Sequence, residues 1–234
     1  MDPFFGELYL RSTRPFLPED LSDAEADFLR ARLPRTGLVL DVGCGHGRHL
    51  CRLKELSLLG VDRDRLSLDE AREYAPVARA DFTALPFKSG ALAGAFAWYN
   101  TLATFEPAVT QLMVKELGRC LAPGGVFVVQ GSHRERSVAQ PTSWYDGQLP
   151  DGSHLREDCR YEPEGRRDRL TRTLTLPDGR VMAASFFIRY YDVDEWRSLL
   201  AEAGLDLEWV CGGVDGSEIT ASSTDVIAGA RKRD

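Results

Sequence analysis

The stretch VLDVGCGHGRHL, residues 39–50, decides the fold. A short apolar run of the kind that forms a buried strand carries Asp41 and then passes into Gly43, Gly45 and Gly47, with a helix expected to open after them. Glycines let the backbone turn sharply and approach a ligand where a side chain would block it. A tight strand-to-helix turn with no ligand is the alternative reading. A dinucleotide fold uses G-x-G-x-x-G, so that pyrophosphate meets a helix N-terminus; here the glycines stand as G-x-G-x-G, with an acid two residues before the first.

Working outward, short apolar runs alternate with amphipathic stretches, the pattern of crossover units in a parallel sheet. Leu38–Val42, Leu56–Val61, Val77–Ala80, Leu92–Trp98 and Val126–Gln130 read as five strands. Val109, Leu112, Met113, Leu117, Cys120 and Leu121 recur at helical spacing before the last of these. Upstream, Ser22 and Glu25 read as a capping box for a helix whose stripe is Phe28, Leu29 and Leu33, and Phe4–Leu17 reads as an irregular or helical arm. From His154 to Tyr191 the pattern changes to alternation around Pro177-Asp178-Gly179, which predicts two or three antiparallel strands. A helix through Trp196, Leu199 and Leu200 stops at Gly204, and Leu205–Cys211 and Asp225–Ala230 form the last strands. The organisation is therefore an arm or lid over 1–36, a core over 37–153, an insertion over 154–191 serving as lid or dimer surface, and completion of the core over 192–234.

Asp62 ends the second strand about 20 residues past the glycine loop, where a carboxylate can accept ribose hydroxyls. NAD enzymes share that feature, and an Asp that merely caps the next helix is the other reading. Combined with Asp81-Phe82 in ARADFTALPF and with LAPGGVFVV before the fifth strand, the glycine loop resembles motif I of the class I S-adenosylmethionine-dependent methyltransferases, and the set spans about residues 37–131. The resemblance implies an α/β fold with a Rossmann-like seven-stranded sheet, helices on both faces and a reversed last strand. It implies S-adenosylmethionine as cofactor and S-adenosylhomocysteine as product. Asp41, Gly43, Cys44, Gly45 and Gly47 would form the loop of the cofactor site, with Asp62 and Arg63 beside it. Asp81 would take the adenine amino group and Phe82 would lie against the ring; for Asp81 a helix cap is the alternative. Trp98, Tyr99 and Asn100 would face the sulfonium and the acceptor, with ordinary core packing as the other reading of Trp98 and Tyr99. The segment AWYNTLATF departs from the Asn/Asp-Pro-Pro-Tyr form of enzymes that methylate amino groups of DNA bases and glutamine. The C-terminal half, with its β insertion, YYDVDEWRSLLAEAGL and VDGSEIT, resembles a bacterial small-molecule subgroup carrying an antiparallel flap.

Methyl transfer from a sulfonium is an in-line displacement whose leaving group needs no protonation, so alignment and exclusion of water are the main tasks. His133 is the positional candidate for a general base, with a surface-loop histidine as the alternative, and His46 and His49 are given no catalytic part. Tyr9 could close the acceptor side, and Arg11 could pair the cofactor's carboxylate or simply be a surface Arg. Met182, Ala184, Phe186, Ile188 and Tyr190 share one strand face and need burial.

The net charge of -7, from 29 Lys plus Arg against 36 Asp plus Glu, disfavours a nucleic-acid partner. The arginines from Arg156 to Arg172 are interleaved with Glu157, Asp158, Glu162, Glu164 and Asp168, which reads as a mixed-charge face. Cys44, Cys51, Cys120, Cys159 and Cys211 have no metal-ligand spacing and read as reduced, cytoplasmic thiols. No run reaches membrane-spanning length. The expectation is a small-molecule methyl acceptor and a monomer or homodimer. Two other classes stay open: a non-catalytic S-adenosylmethionine-binding regulatory protein, and an NAD-dependent oxidoreductase.

Overall fold

The computed structural model describes residues 4–234. A seven-stranded sheet contains β1 (Leu38–Val42), β2 (Ser57–Asp62), β3 (Val77–Arg79), β4 (Leu92–Ala97), β5 (Leu121–Ser132), β10 (Leu205–Cys211) and β11 (Asp225–Lys232). Its order is β10-β11-β5-β4-β1-β2-β3. β1 to β5 are parallel, whereas β11 runs antiparallel to both β5 and β10. The sheet switches direction of winding between β1 and β4, and ligands in open α/β sheets sit at the carboxyl ends of the strands beside that switch.

Strand alternation builds two cores. Leu40, Val42, Ala95, Ala97, Phe127 and Val129 face α4 (Pro107–Cys120) and α6 (Val193–Glu202), which add Met113, Leu117, Trp196 and Leu200. Val39, Phe96, Trp98 and Val128 face the other way, towards α2 (Glu19–Arg30) and α3 (Arg65–Ala71). The expected fold class, with helices on both faces, is what the chain adopts. No helix among the described residues is long and apolar enough to cross a membrane.

Three local readings are corrected. The capping box is not a cap: α2 starts a turn earlier behind Pro18, with Glu19 and Asp20 in its first turn, so Ser22 and Glu25 fall on its buried inner face. No regular helix follows the glycine loop. Cys51 N–H bonds to Gly47 C=O while Arg52 and Leu53 N–H both reach His49 C=O, so the chain descends as linked turns whose inward Arg48 and His49 are fixed on Glu25. The insertion has four strands and begins at Thr142: β6 (Thr142–Gln148), β7 (His154–Glu162), β8 (Arg167–Thr175) and β9 (Val181–Arg189) pair in order, antiparallel throughout. β6, rich in exposed side chains and carrying Gly147, lacks the alternation that marked its neighbours.

The inner face of this second sheet packs on the N-terminal arm. Leu155, Leu170, Leu174 and Phe186 join Phe4 and Leu8 in a third apolar cluster, with α1 (Glu7–Thr13) supplying the arm's helix. The Phe4 and Phe186 rings stack, centroids 3.6 Å apart.

Candidate active site

At the carboxyl edge of the main sheet lies a cavity of about 350 Å³. Its floor comes from the strand ends: Gly43 and Gly45 after β1, Asp62 and Arg63 after β2, Phe82 after β3, Tyr99 and Asn100 after β4 and Ser132 at the end of β5. Its roof comes from Phe5, Tyr9 and Thr13 of the arm and from Glu157, Leu170, Arg172, Phe186 and Ile188 of the insertion. The arm and the second sheet thus meet over the strand ends.

The glycine loop is built for close approach. A Cβ on Gly43 would stand 2.5 Å from the Thr101 methyl, and Gly45, at φ +54, adopts the left-handed conformation that suits a residue without a Cβ. Gly45 N–H donates to Asp62 Oδ2 at 2.9 Å, and Asp64 N–H donates to Asp62 Oδ1 at 2.8 Å. Burial pushes the Asp62 carboxyl up, while the N–H groups of Asp64, Gly45 and Arg63 pull it back. The carboxylate is thereby fixed beside the loop, with lone pairs left for a ligand.

The turn after β4 is strained. Tyr99 and Asn100 both lie in the left-handed region, at φ 55 and 61. Asn100 is held from two sides: its Nδ2 donates to Ser132 Oγ at 2.9 Å, and its Oδ1 accepts from Ser132 N–H at 2.7 Å. Backbone geometry of this kind persists only where surroundings impose it, and it clusters at functional sites. Behind Tyr99 the Arg48 guanidinium lies 5.5 Å from the ring centre, held by Glu25, which also accepts from His49 Nε2 at 3.0 Å. Against the burial that would raise it, hydrogen bonds from His49 and Arg48 hold the Glu25 carboxyl at about 2; burial, helped by the Arg48 charge, lowers His49 to about 4.

The structure brings Gly43, Gly45, Asp62, Arg63, Phe82, Tyr9, Tyr99 and Asn100 to the cavity. Seven other expected site residues stand elsewhere. Asp41 is buried below the loop, where burial, strengthened by Asp62 and opposed by Arg48, raises its carboxyl to about 8; its Oδ2 has no hydrogen-bond partner among the described residues. Cys44 packs under Gly60 in the core, and Gly47 packs on Ala71 of α3. Trp98 follows the alternation of β4 to the α2 face, between Phe28 and His49. Asp81 Oδ1 accepts from the Thr83 N–H and hydroxyl, and the residue lies outside the cavity. Arg11 pairs with Glu7 at 2.9 Å and Asp151 at 3.5 Å on the surface. His133 is also outside, its Nδ1 3.2 Å from the Ser223 carbonyl oxygen. The reading missed Arg172, Glu157 and Thr13, whose local sequence shows only alternation and mixed charge; the contact between arm and insertion that makes them neighbours is long-range.

A parallel sheet with one reversed strand and a glycine loop paired to an acid at its carboxyl edge is the arrangement of the class I methyltransferase fold. Residues 39–125 match the methyltransferase domain family. The chain is similar to the trans-aconitate 2-methyltransferase of Variovorax paradoxus, with 29% identity over 224 residues, 85% of this chain and 76% of that protein. It is 28% identical over 203 residues to the dTDP-3-amino-3,4,6-trideoxy-alpha-D-glucopyranose N,N-dimethyltransferase of Streptomyces venezuelae, covering 82% of this chain and 84% of the other. A tRNA (carboxymethyluridine(34)-5-O)-methyltransferase of Xenopus tropicalis matches over 106 residues at 39% identity, 44% of this chain but only 16% of that protein. Among solved structures, the CcbJ methyltransferase from Streptomyces caelestis superposes with a TM-score of 0.79 at 22% identity, over 93% of this chain and 91% of that one. The domain match, the relatives and the fold together support an S-adenosylmethionine-dependent methyltransferase.

Proposed function

We propose that this methyltransferase transfers a methyl group to a nitrogen or oxygen atom of a small molecule held between the strand ends and the roof. The observation that carries the reading is Asp62, fixed by the Gly45 and Asp64 N–H groups on the cavity wall. In this reading Asp62 accepts the ribose hydroxyls, Gly43 and Gly45 allow the cofactor to approach the backbone, and Phe82 lies against the adenine. The bound cofactor supplies a methyl group on a sulfonium whose departure requires no acid. The protein's own part is to orient the acceptor and keep water away, which the arm and the second sheet do by covering the strand ends. Tyr9 and Tyr99 keep their protons, because burial pushes both hydroxyls up, and they offer neutral O–H groups to the acceptor. Relatives whose names specify small acceptors, an unsaturated acid in one case and an amino sugar in the other, support the size class.

Calorimetric titration with S-adenosylhomocysteine and with NAD tests the cofactor site. Asp62→Ala is expected to weaken S-adenosylhomocysteine binding by about 1.5 to 3 kcal/mol, the range for hydrogen bonds to a charged group. An unchanged dissociation constant in folded protein, or equal binding of NAD by the wild type, rejects the assignment.

A further inference from the structure

The roof carries one ion pair, and the way it is bonded discriminates between acceptors. Arg172 Nε donates to Glu157 Oε2 at 2.6 Å and Nη2 reaches the same oxygen at 2.5 Å. Arg172 Nη1 donates to Ser12 Oγ at 2.9 Å and to Thr13 Oγ1 at 2.8 Å. A guanidinium has five N–H groups, so four are engaged. The Phe4 and Phe186 rings also lie against it, with centroids 5.3 and 5.5 Å away. Arg172 is therefore a strut between insertion and arm, its charge already matched by a carboxylate.

Glu157 is used differently. Only Oε2 is engaged by Arg172, and Oε1 has no hydrogen-bond partner among the described residues, although the side chain lines the cavity. The other cation of the cavity, Arg63, stands at the β2 end, 5.7 Å from the Phe105 ring centre and next to Asp62. The cavity as a whole has three carboxylates, Asp62, Asp64 and Glu157, against two guanidiniums. What its roof presents to an acceptor is one carboxylate oxygen, the neutral Tyr9 hydroxyl and aromatic surface, and of these the carboxylate and the rings attract an ammonium or N–H group and disfavour an acid.

From this arrangement we infer that the acceptor is a small amine whose nitrogen is held by Glu157 Oε1. The inference rests on the cofactor assignment proposed for Asp62 and specifies the acceptor of that same cavity. The amine binds as an ammonium and releases one proton to Glu157 or to solvent. Its lone pair then forms the new bond to the methyl carbon as the carbon–sulfur bond breaks, with the electron pair left on sulfur. A second proton leaves the methylated nitrogen to give the neutral product. Glu157 would thus favour the acceptor class named for the Streptomyces venezuelae relative over the acid named for the Variovorax one.

The test uses cyclohexyl, benzyl and pyranoside frames, each bearing an amino, a hydroxyl or a carboxylate group, added to the protein saturated with S-adenosylhomocysteine. Thermal shift reads binding, and released S-adenosylhomocysteine reads turnover when S-adenosylmethionine replaces it. On at least one frame the amine is expected to bind tenfold or more tightly than its alcohol and acid partners. Glu157→Gln is expected to remove that preference, by about tenfold or more, while S-adenosylhomocysteine affinity stays within threefold. Preference for a carboxylate, no binding by any amine, or an amine preference that survives in E157Q overturns the inference. Loss of S-adenosylhomocysteine affinity in E157Q also overturns it, because the pair would then serve only to hold the roof. If E157Q does not fold, Glu157→Asp keeps the charge at a shorter reach; weakened amine binding supports the inference and unchanged binding overturns it. Failure of the wild type to bind S-adenosylhomocysteine at all would instead reject the cofactor assignment, so the two failures are distinct.

Discussion

Asp41 and His133 show how a residue's surroundings decide its part. The Asp41 carboxyl, pushed up to about 8 by burial, stays protonated in the folded chain up to that pH, whereas in the unfolded chain it ionises near 4. Between those values the unfolded state gives up a proton that the folded state keeps, so this residue's contribution to stability falls as pH rises from about 4 to 8. Asp41→Asn cannot titrate. Its melting temperature is therefore expected to gain on the wild type between pH 5 and pH 8, by an amount on the order of a kcal/mol or more in stability. A difference that does not change with pH would show that Asp41 is ionised in the fold. His133 gives the opposite lesson, since a position after β5 suggested a base but the ring is turned to Ser223 and lies outside the cavity. His133→Ala is expected to keep turnover within a few-fold of wild type at every pH; a loss near the ~100-fold typical of general-base removal would contradict the geometry. Asp62 and the glycines were legible because their role is local, a backbone turn and an acid one strand away. Arg172 and Glu157 were not, because nothing near them in sequence records that residue 12 hydrogen-bonds to residue 172.

At the scale of elements, the centre of the main sheet was readable because β1 and β4 are short, mostly apolar runs with burial on both faces. β3, of three residues, falls within Val77–Ala80, which was read from the alternation of apolar runs with amphipathic stretches. The edge strand β6 was missed because it carries no periodic apolar row, whereas the turns after Gly47 were expected to be a helix from the strand-to-glycine-loop pattern alone. The row that was recognised, Met182 to Ile188 on β9, does turn inward, and it closes on the arm. This gives the second sheet a testable role. Replacing residues 142–189 with a short Gly/Ser linker is expected to leave S-adenosylhomocysteine affinity within a few-fold, because Gly43, Gly45 and Asp62 stand at the strand ends of the main sheet and not in the insertion, and to abolish methyl transfer. Retention of full activity together with a change of oligomeric state, followed by activity assay and light scattering, would assign these strands to assembly.

In the whole molecule, the three apolar clusters follow the layers: one on each face of the main sheet, and one between the arm and the second sheet. The first two were implied by the strand pattern, whereas the third required knowing that residues 4–13 return to meet residues 155–186. The strand order has a consequence for how the chain comes into being. β11 lies in the interior of the sheet, between β5 and β10, although it follows both in sequence. Ending the chain after residue 224 is therefore expected to give insoluble protein that binds no S-adenosylhomocysteine, because β5 and β10 each lose a partner; a soluble, ligand-binding fragment would contradict this. During synthesis the same gap exists for every nascent chain. β5 emerges before residues 225–232, which supply its second partner, and β10 pairs only with that same late strand. The ribosome thus delivers the keystone strand after its neighbours, and a message that stops short yields a polypeptide marked for aggregation or proteolysis rather than a partly working enzyme.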